Sequence, residues 1–542
     1  MRTRTLSVCL LVFLLVAGIF IAGCTNTSAQ AGTGVNAPVV TQGASSQGSA
    51  AAVAGTGKML KFGELWLITG FDPMNQGVFI TEKAIVTESL ISADENFRLI
   101  PNLATSWKQT SPTTWEVKLR DGVKFHNGKP MTAEEVKFSL DRSVKLNSAN
   151  GVLMDYKSCR VIDPLTVEIT TNKPNPILPE ALHYPNMAII HPDSLDANGN
   201  FSKPIGTGAM VFDSFDAQTR TFTVKKNPNY WGGPVSLEGM IISGIPDSNS
   251  RAMAIEKGEV DFTVDVPMNE VKRIDALPNV NVETYLTPRV YRMVVNFNRT
   301  PLQDKRVRQA ISLAINRTDI VNDVLYGVGG PARGIYIPKM AWFNQNLQQL
   351  PYDPVKAKAL LAEAGYKDTN GDGIVEKDGK PLTIDLVSAQ ERPGLPPMAE
   401  AIGDSLRKIG IDAKVEIMAS AASTDRQKAG SYDLVMSPSN IAMVPDPSYI
   451  MEQWYMTGGY QNYGKYSNKT LDALIQDAKE TTDKTERYRK FNELEVYVLD
   501  DLITIPIADY GCTIAKKDSV KGYKFDPTAH DLRMDAGMTF TG

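Results

Sequence analysis

Apolar and polar positions divide this 542-residue chain into three unequal zones. The first is an apolar run from Leu6 to Ala22, preceded by Arg2 and Arg4 and closed by small residues. A basic head, an apolar middle and a small-residue end predict an export signal over residues 1–24. The second zone, Thr25–Gly57, holds no charged residue and consists of Gly, Ala, Ser, Thr, Gln, Asn, Val and one Pro. Such a segment cannot bury enough apolar surface to fold. It predicts a flexible linker with a reach of roughly 30 Å by the random-coil rule. The third zone begins at Lys58, where apolar positions become periodic.

Within that zone, Leu60–Thr69 predicts a strand, with Gly70-Phe71-Asp72-Pro73 as its turn. Ile80–Ser92 has helical periodicity. Trp115, Val117 and Leu119 alternate as in a half-buried strand. Met131–Val144 predicts a helix with Thr132 at its cap and Glu134 and Glu135 in its first turn. Farther along, strands over Tyr291–Phe297, Thr383–Val387 and Ala413–Ile417 alternate with helices over Val307–Asn316, Pro354–Ala364 and Pro397–Ile409. Asn468–Glu480 reads as an amphipathic helix with Leu471, Leu474 and Ile475 on one face. That alternation predicts an α/β architecture.

Composition narrows the function. With 57 basic and 61 acidic residues the formal charge is −4, which offers no basic surface for nucleic acid. No second apolar stretch approaches the length of a membrane span. The four histidines, His126, His183, His191 and His530, have no zinc-site spacing. Four cysteines are present, Cys9, Cys24, Cys159 and Cys512. The ending Ile21-Ala22-Gly23-Cys24 resembles a bacterial-type lipobox, which implies that Cys24 carries lipid and tethers the body outside the cytoplasm. An uncleaved transmembrane helix is the alternative, and its 17 residues would sit at the short end of a span. Cys159 and Cys512 would remain, either paired or as two separate buried thiols.

Catalytic motifs are missing. There is no Gly-x-Ser-x-Gly elbow, no His-Glu-x-x-His helix and no Gly-x-x-x-x-Gly-Lys-Ser/Thr phosphate loop. Asp500-Asp501 are adjacent carboxylates, which on a strand would point to opposite faces. An extracytoplasmic hydrolase or metalloenzyme therefore stands only as an alternative, and the absence of repeats speaks against a structural surface protein.

A series of blocks then carries a resemblance. These are Leu119-Arg-Asp-Gly-Val-Lys-Phe125 with Gly128 and Thr132-Ala-Glu-Glu-Val136, Lys203-Pro-Ile-Gly-Thr-Gly208, Asn227-Pro-Asn-Tyr-Trp231-Gly, and Ile245-Pro-Asp247 with Arg251 and Gly258-Glu-Val-Asp261. Asn296 with Asp304-Lys-Arg-Val-Arg308 and Tyr352-Asp-Pro-Val-Lys-Ala-Lys-Ala-Leu-Leu361 complete the series. From about Leu60 to Pro527 the chain resembles the peptide/nickel family of substrate-binding proteins that serve ABC importers.

The resemblance implies a two-lobed periplasmic-binding-protein type II α/β fold with an extra subdomain in the first lobe. On that scheme lobe I is 58–287 with an insert at about 85–203, lobe II is 288–506, and 507–542 returns to lobe I. The implied function is a non-enzymatic solute-binding lipoprotein that captures a small carboxylate-bearing solute, a short peptide or a nickel chelate. The implied partners are that ligand, ABC permease subunits and the membrane through the lipid anchor. A monomer without nucleic acid or cofactor is expected. A sensor or chaperone receptor using the same cleft is the remaining alternative.

Individual residues sharpen this expectation. Arg392, in Gln390-Glu-Arg392-Pro, matches an arginine that grips a ligand carboxylate in dipeptide-binding relatives, with Glu391 inserted between Gln390 and Arg392. A guanidinium suits that task because its planar fork gives two parallel bonds to a carboxylate. Peptide-binding relatives carry an aspartate for the ligand's α-amino group three residues before the position of Asp446, and here that position is Met443. Met443 reads as a soft pocket wall or as a thioether near a soft metal, and Asp446 as a helix N-cap. Trp454, Tyr455 and Tyr460 follow as aromatics that line the cleft or pack a core. Asp368, Asn370 and Asp372, with Gly373, begin like an EF-hand calcium loop, but Gly379 stands where the loop's last ligand should be Glu. A plain Asp/Gly turn feeding the strand at Pro381–Val387 is the competing reading.

Overall fold

The computed structural model describes residues 58–528 and 532–541. The export signal, the linker and Cys24 lie outside the described residues. No helix among the described residues is long and apolar enough to cross a membrane.

Fourteen strands carry the architecture. In chain order they are β1 (Leu60–Glu64), β2 (Ala104–Ser111), β3 (Thr114–Leu119), β4 (Tyr156–Asp163), β5 (Thr166–Thr171), β6 (Met210–Asp216) and β7 (Thr221–Lys226). They continue with β8 (Gly239–Gly244), β9 (Phe262–Val264), β10 (Val280–Val295), β11 (Thr383–Ala389), β12 (Asp412–Met418), β13 (Leu434–Asn440) and β14 (Thr504–Lys517). The helices used below are α1 (Ala133–Leu146), α2 (Lys305–Leu313), α3 (Pro354–Glu363), α4 (Leu395–Lys408), α5 (Lys469–Glu480) and α6 (Lys484–Asp500).

One large mixed sheet runs in the order β12-β11-β13-β10-β14-β9-β1-β8-β7-β6. Its spine is the long antiparallel pair β10 and β14. The pair is in register from Val280↔Lys517 to Leu286↔Gly511, loses register, and resumes at Val290↔Asp509, with one further shift between Tyr291 and Arg292 before it ends at Val294↔Thr504. Thr287, Pro288 and Arg289 thus stand opposite Tyr510 alone, a bulge that bends the ribbon. The two flanks of the sheet attach to opposite stretches of this spine. Strand β9 pairs with Ile514–Lys516 of β14, and β13 pairs with Arg289–Val295 of β10. A separate four-stranded antiparallel sheet, β2-β3-β5-β4, carries α1 and its own core, with Val117, Val136, Leu140 and Ile169 buried.

Alternation along β10 sorts the cores. Tyr291, Met293 and Val295 enter the main core with Ile505, Ile507 and Tyr510. Val290 faces a second core built on Trp342, Tyr336, Ile441, Trp454, Tyr455 and Phe491. Cys159 and Cys512 are buried in different cores.

Most of the elements predicted from periodicity are present within one or two residues. Thr132 caps α1, and Glu135 closes a capping box by accepting from the Thr132 N–H at 2.9 Å. The strand predicted over Leu60–Thr69 stops at Glu64 and the one predicted from Tyr291 begins at Val280, and the helix predicted over Ile80–Ser92 departs furthest. A helix covers only Val78–Lys83, Ile85 has φ 48°, and a strand follows at Ile91–Ala93. The reason is tertiary. Gly208 N–H donates to Val86 O at 3.2 Å and Met210 N–H to Ile85 O at 3.1 Å, so the carbonyls of residues 85–86 are turned out of the helix and onto the 206–210 segment. A Cβ at Gly206 or Gly208 would lie 2.2 and 2.1 Å from these carbonyl oxygens, which explains the glycines of that block.

Candidate functional site

Arg392 stands on the turn that follows β11, just before α4. It is only 4% exposed. Its Nη1 donates to the Tyr510 hydroxyl at 3.0 Å and lies 3.3 Å from Asp265 Oδ2. The Tyr510 hydroxyl in turn donates to Asp265 Oδ2 at 2.5 Å. The guanidinium also lies over the rings of Trp66 and Tyr510, 5.5 and 5.1 Å from their centroids. Arg392 thus comes from one flank of the sheet, Asp265 and Trp66 from the other, and Tyr510 from the bend in the spine.

Each partner is held by its own local chemistry. Asp265 follows β9 with φ 49°, a left-handed conformation that aspartate tolerates better than most residues. Arg251, which is fully buried, fixes that turn by donating to Val264 O at 2.7 Å, Asp265 O at 2.6 Å, Ile245 O at 2.7 Å and Pro246 O at 2.8 Å. This accounts for the spacing from Ile245-Pro-Asp247 to Arg251. Tyr510 stacks obliquely on Tyr291, with centroids 4.8 Å apart. Burial, reinforced by the Asp265 carboxylate, pushes the Tyr510 hydroxyl well above the ordinary tyrosine range, so it stays a proton donor. Glu391, the residue inserted beside Arg392, does not pair with it. Its carboxylate accepts from Ser420 N–H at 2.9 Å and from the Ser420 hydroxyl at 2.5 Å, capping the helix Ser420–Ala429.

Arg392, Asp265, Tyr510, Thr287 and Arg289 surround a cavity of about 10 Å³. That is room for about one water. A larger cleft of about 680 Å³ lies elsewhere, bordered by Glu88, Tyr230, Arg533 and Asp535. Two of its charged groups are engaged within the protein. Glu88 accepts from Tyr230 at 2.9 Å, Trp231 at 2.8 Å and Thr207 at 2.6 Å, and Arg533 pairs with Asp526.

The other candidates fall in different places. Trp454 and Tyr455 are buried in the second core, and Met443 is half-buried against it. Arg292 lies 4.0 Å from the Trp454 ring centroid, and Trp454 Nε1 donates to Gln461 Oε1 at 2.9 Å. Arg292 neighbours Tyr291 on β10 and so faces the opposite side of the sheet. The aromatic cluster therefore lies across the sheet from Arg392. Tyr460 is 70% exposed. Asp446 is fully buried, where Oδ1 accepts from Ser448 N–H at 3.0 Å and Oδ2 from Arg487 at 2.5 Å. Asp368, Asn370 and Asp372 are exposed, at the end of β11 remote from Arg392.

Sequence reasoning singled out neither Asp265 nor Arg289 nor Tyr510. The only signal was position, since Arg289 lies beside the expected boundary between lobes I and II at 287–288.

The second core also reaches the four-stranded unit. Phe97 packs its ring 6.0 Å from that of Trp342, and Lys479 on α5 bridges Asp155 at 3.4 Å and Glu452 at 2.9 Å. Glu180 approaches the Asp446–Arg487 pair there, and burial, with the Asp446 charge second, raises its carboxyl to about 7.

The model for bacterial extracellular solute-binding proteins, family 5 Middle, matches residues 98–462. The oligopeptide-binding protein AppA of Bacillus subtilis is 27% identical over 97% of both chains. The structure of AppA in complex with a nonapeptide superposes with a TM-score of 0.76 at 25% identity, covering 90% of this chain and 99% of that one. NikA of Staphylococcus aureus in complex with Ni(L-His)2 superposes with a TM-score of 0.78 at 26% identity, covering 89% of this chain and 100% of that one.

Proposed function

We propose that this chain, which belongs to the bacterial extracellular solute-binding proteins of family 5, captures a small solute through a carboxylate and hands it to an ABC permease. Family members are extracytoplasmic, non-enzymatic transport components with a two-lobed α/β fold, and we read this chain the same way. The observation that carries the ligand reading is the Arg392–Asp265–Tyr510 constellation. There a guanidinium and a tyrosine hydroxyl already hold a carboxylate, at the point where both flanks meet the bent spine. A ligand carboxylate would replace Asp265 in that grip, and the flanks would part to admit it and close again on contacts to both.

On this reading Arg392 carries the recognition and Arg289 lies close enough to assist. Met443, Trp454 and Tyr455 support the closed form from the other face of the sheet, and Tyr460 is a surface residue. AppA was solved with a nonapeptide and NikA with a nickel–histidine complex, so both ligand classes are candidates here. Tethering through lipidated Cys24 and action as a monomer complete the proposal.

Titration calorimetry of the full chain tests it, with tri- to nonapeptides, glutathione and nickel–histidine as the panel. One member should bind saturably at one per chain without product formation. Failure of every panel member to bind saturably, or turnover of any panel member, would refute the reading.

A further inference from the structure

The turn that joins α3 to β11 has features of a cation site. It is closed by a reciprocal backbone pair, with Lys367 N–H donating to Glu376 O at 3.0 Å and Glu376 N–H to Lys367 O at 2.9 Å. The loop between them wraps around one carboxylate. Asp368 accepts from Gly371 N–H at 2.7 Å and from Gly373 N–H at 3.0 Å. Asn370 Oδ1 accepts from Asp372 N–H at 2.8 Å, and Asp372 Oδ1 from Ile374 N–H at 2.8 Å. Gly371 and Gly373 have φ of +81° and +89°, which lets the backbone coil this tightly.

A carboxylate oxygen from each of Asp368, Asp372 and Glu376 lies within 4.8 Å of the others. Among the described residues no Lys or Arg pairs with any of the three. Like charges at that spacing repel unless a cation lies among them.

The second observation is Glu376 itself. It is 8% exposed, and its Oε1 is buried without a hydrogen-bond partner. The other oxygen, Oε2, accepts from Thr369 N–H at 2.9 Å and the Thr369 hydroxyl at 3.1 Å. A buried carboxylate oxygen left unmatched in this way costs free energy unless a ligand completes it.

We propose that Asp368, Asn370, Asp372 and Glu376 form a site for a hard divalent cation of calcium size. Asp368, Asn370 and Asp372 take the first three ligand positions of an EF-hand-like loop, and Ile374 occupies the position that gives a backbone carbonyl. Glu376 replaces the acidic ligand that Gly379 does not provide, because the backbone pair closes the loop three residues early. Oxygen-only donors favour calcium over nickel, copper or zinc. The site lies at the end of β11 opposite Arg392. Its role is to brace the scaffold: Val375 N–H donates to Gly410 O at 2.8 Å and ties the loop to the end of α4.

The test is calorimetric titration of the chelator-stripped full chain with calcium chloride, alongside its melting temperature. One calcium per chain is expected, with a dissociation constant on the order of 10⁻⁴–10⁻³ M, as in extracellular modules, and a higher melting temperature with calcium. Glu376→Gln and the exposed Asp372→Asn should each weaken binding by about tenfold or more, whereas Asp378→Asn, outside the cluster, should leave it unchanged. Absence of saturable uptake, equal uptake of magnesium, or calcium binding that survives both Glu376→Gln and Asp372→Asn would overturn the proposal.

Discussion

Replacing the two members of the Arg392–Asp265 pair should move ligand affinity in opposite directions. Arg392→Ala removes the guanidinium that the ligand carboxylate would use. A hydrogen bond to a charged group contributes about 1.5–3 kcal/mol, so binding should weaken by roughly ten- to 150-fold. Asp265→Asn removes the internal competitor's charge while leaving an oxygen for Tyr510. At the observed 3.3 Å and an effective dielectric of about 20, the gross attraction is about 5 kcal/mol, an upper bound. The net change on turning a charged acceptor into a neutral one is about 1–1.5 kcal/mol. Affinity should therefore rise roughly five- to tenfold, because less of the protein is held in the self-paired state that the ligand must displace. The assay is titration calorimetry at constant salt, using the panel solute that saturates the unaltered protein. A purely structural ion pair would lower or spare affinity in both variants. Same-sign changes, or a change under twofold in either variant, would refute the reasoning.

Other parts of the structure make separate predictions. Phe97→Ala should lower stability to urea by about 3–5 kcal/mol, because its ring fills the second core beside Trp342; a loss under about 1 kcal/mol would show that the contact is dispensable. Glu495 is fully buried, accepts from Ile335 N–H at 2.9 Å, and has its carboxyl raised by burial to about 8. With the folded value above the unfolded one, the native state holds an extra proton between about pH 4.5 and 8, so stability falls as pH rises across that window. Glu495→Gln should match the parent near pH 4.5 and exceed it by on the order of 3 kcal/mol at pH 7, and parallel pH–stability curves would contradict this. Arg251→Lys keeps the charge but cannot reach four carbonyls in fork geometry. It should cost about 2–4 kcal/mol of stability and, by loosening Asp265, alter ligand affinity as well, which calorimetry on the same samples would show.

The sequence made the regular elements legible because periodicity and caps are local. Thr132 with Glu135, and the apolar face of α5, needed nothing distant to be read. The segment after Lys83 was illegible because its fate depends on Gly206 and Gly208, more than a hundred residues away. Arg392 stood out by resemblance to a motif, but its surroundings did not. Asp265 and Tyr510 are separated from it by 127 and 118 positions, and only the topology of the spine unites them. Glu376 escaped notice for a different reason. Counting twelve residues to Gly379 assumes a helix–loop–helix frame, and here a two-residue backbone bridge shortens the loop.

The bulge at Thr287-Pro288-Arg289 opposite Tyr510 has a mechanical corollary. A ribbon flexes most easily where its ladder is already broken, and on the reading proposed here that is also where the solute is felt. Sensor and pivot would then be the same few residues. A signal from the pocket would need no relay through the cores. Any substitution that stiffens the kink should therefore dull recognition and motion together, while changes at the far edge strands should disturb neither.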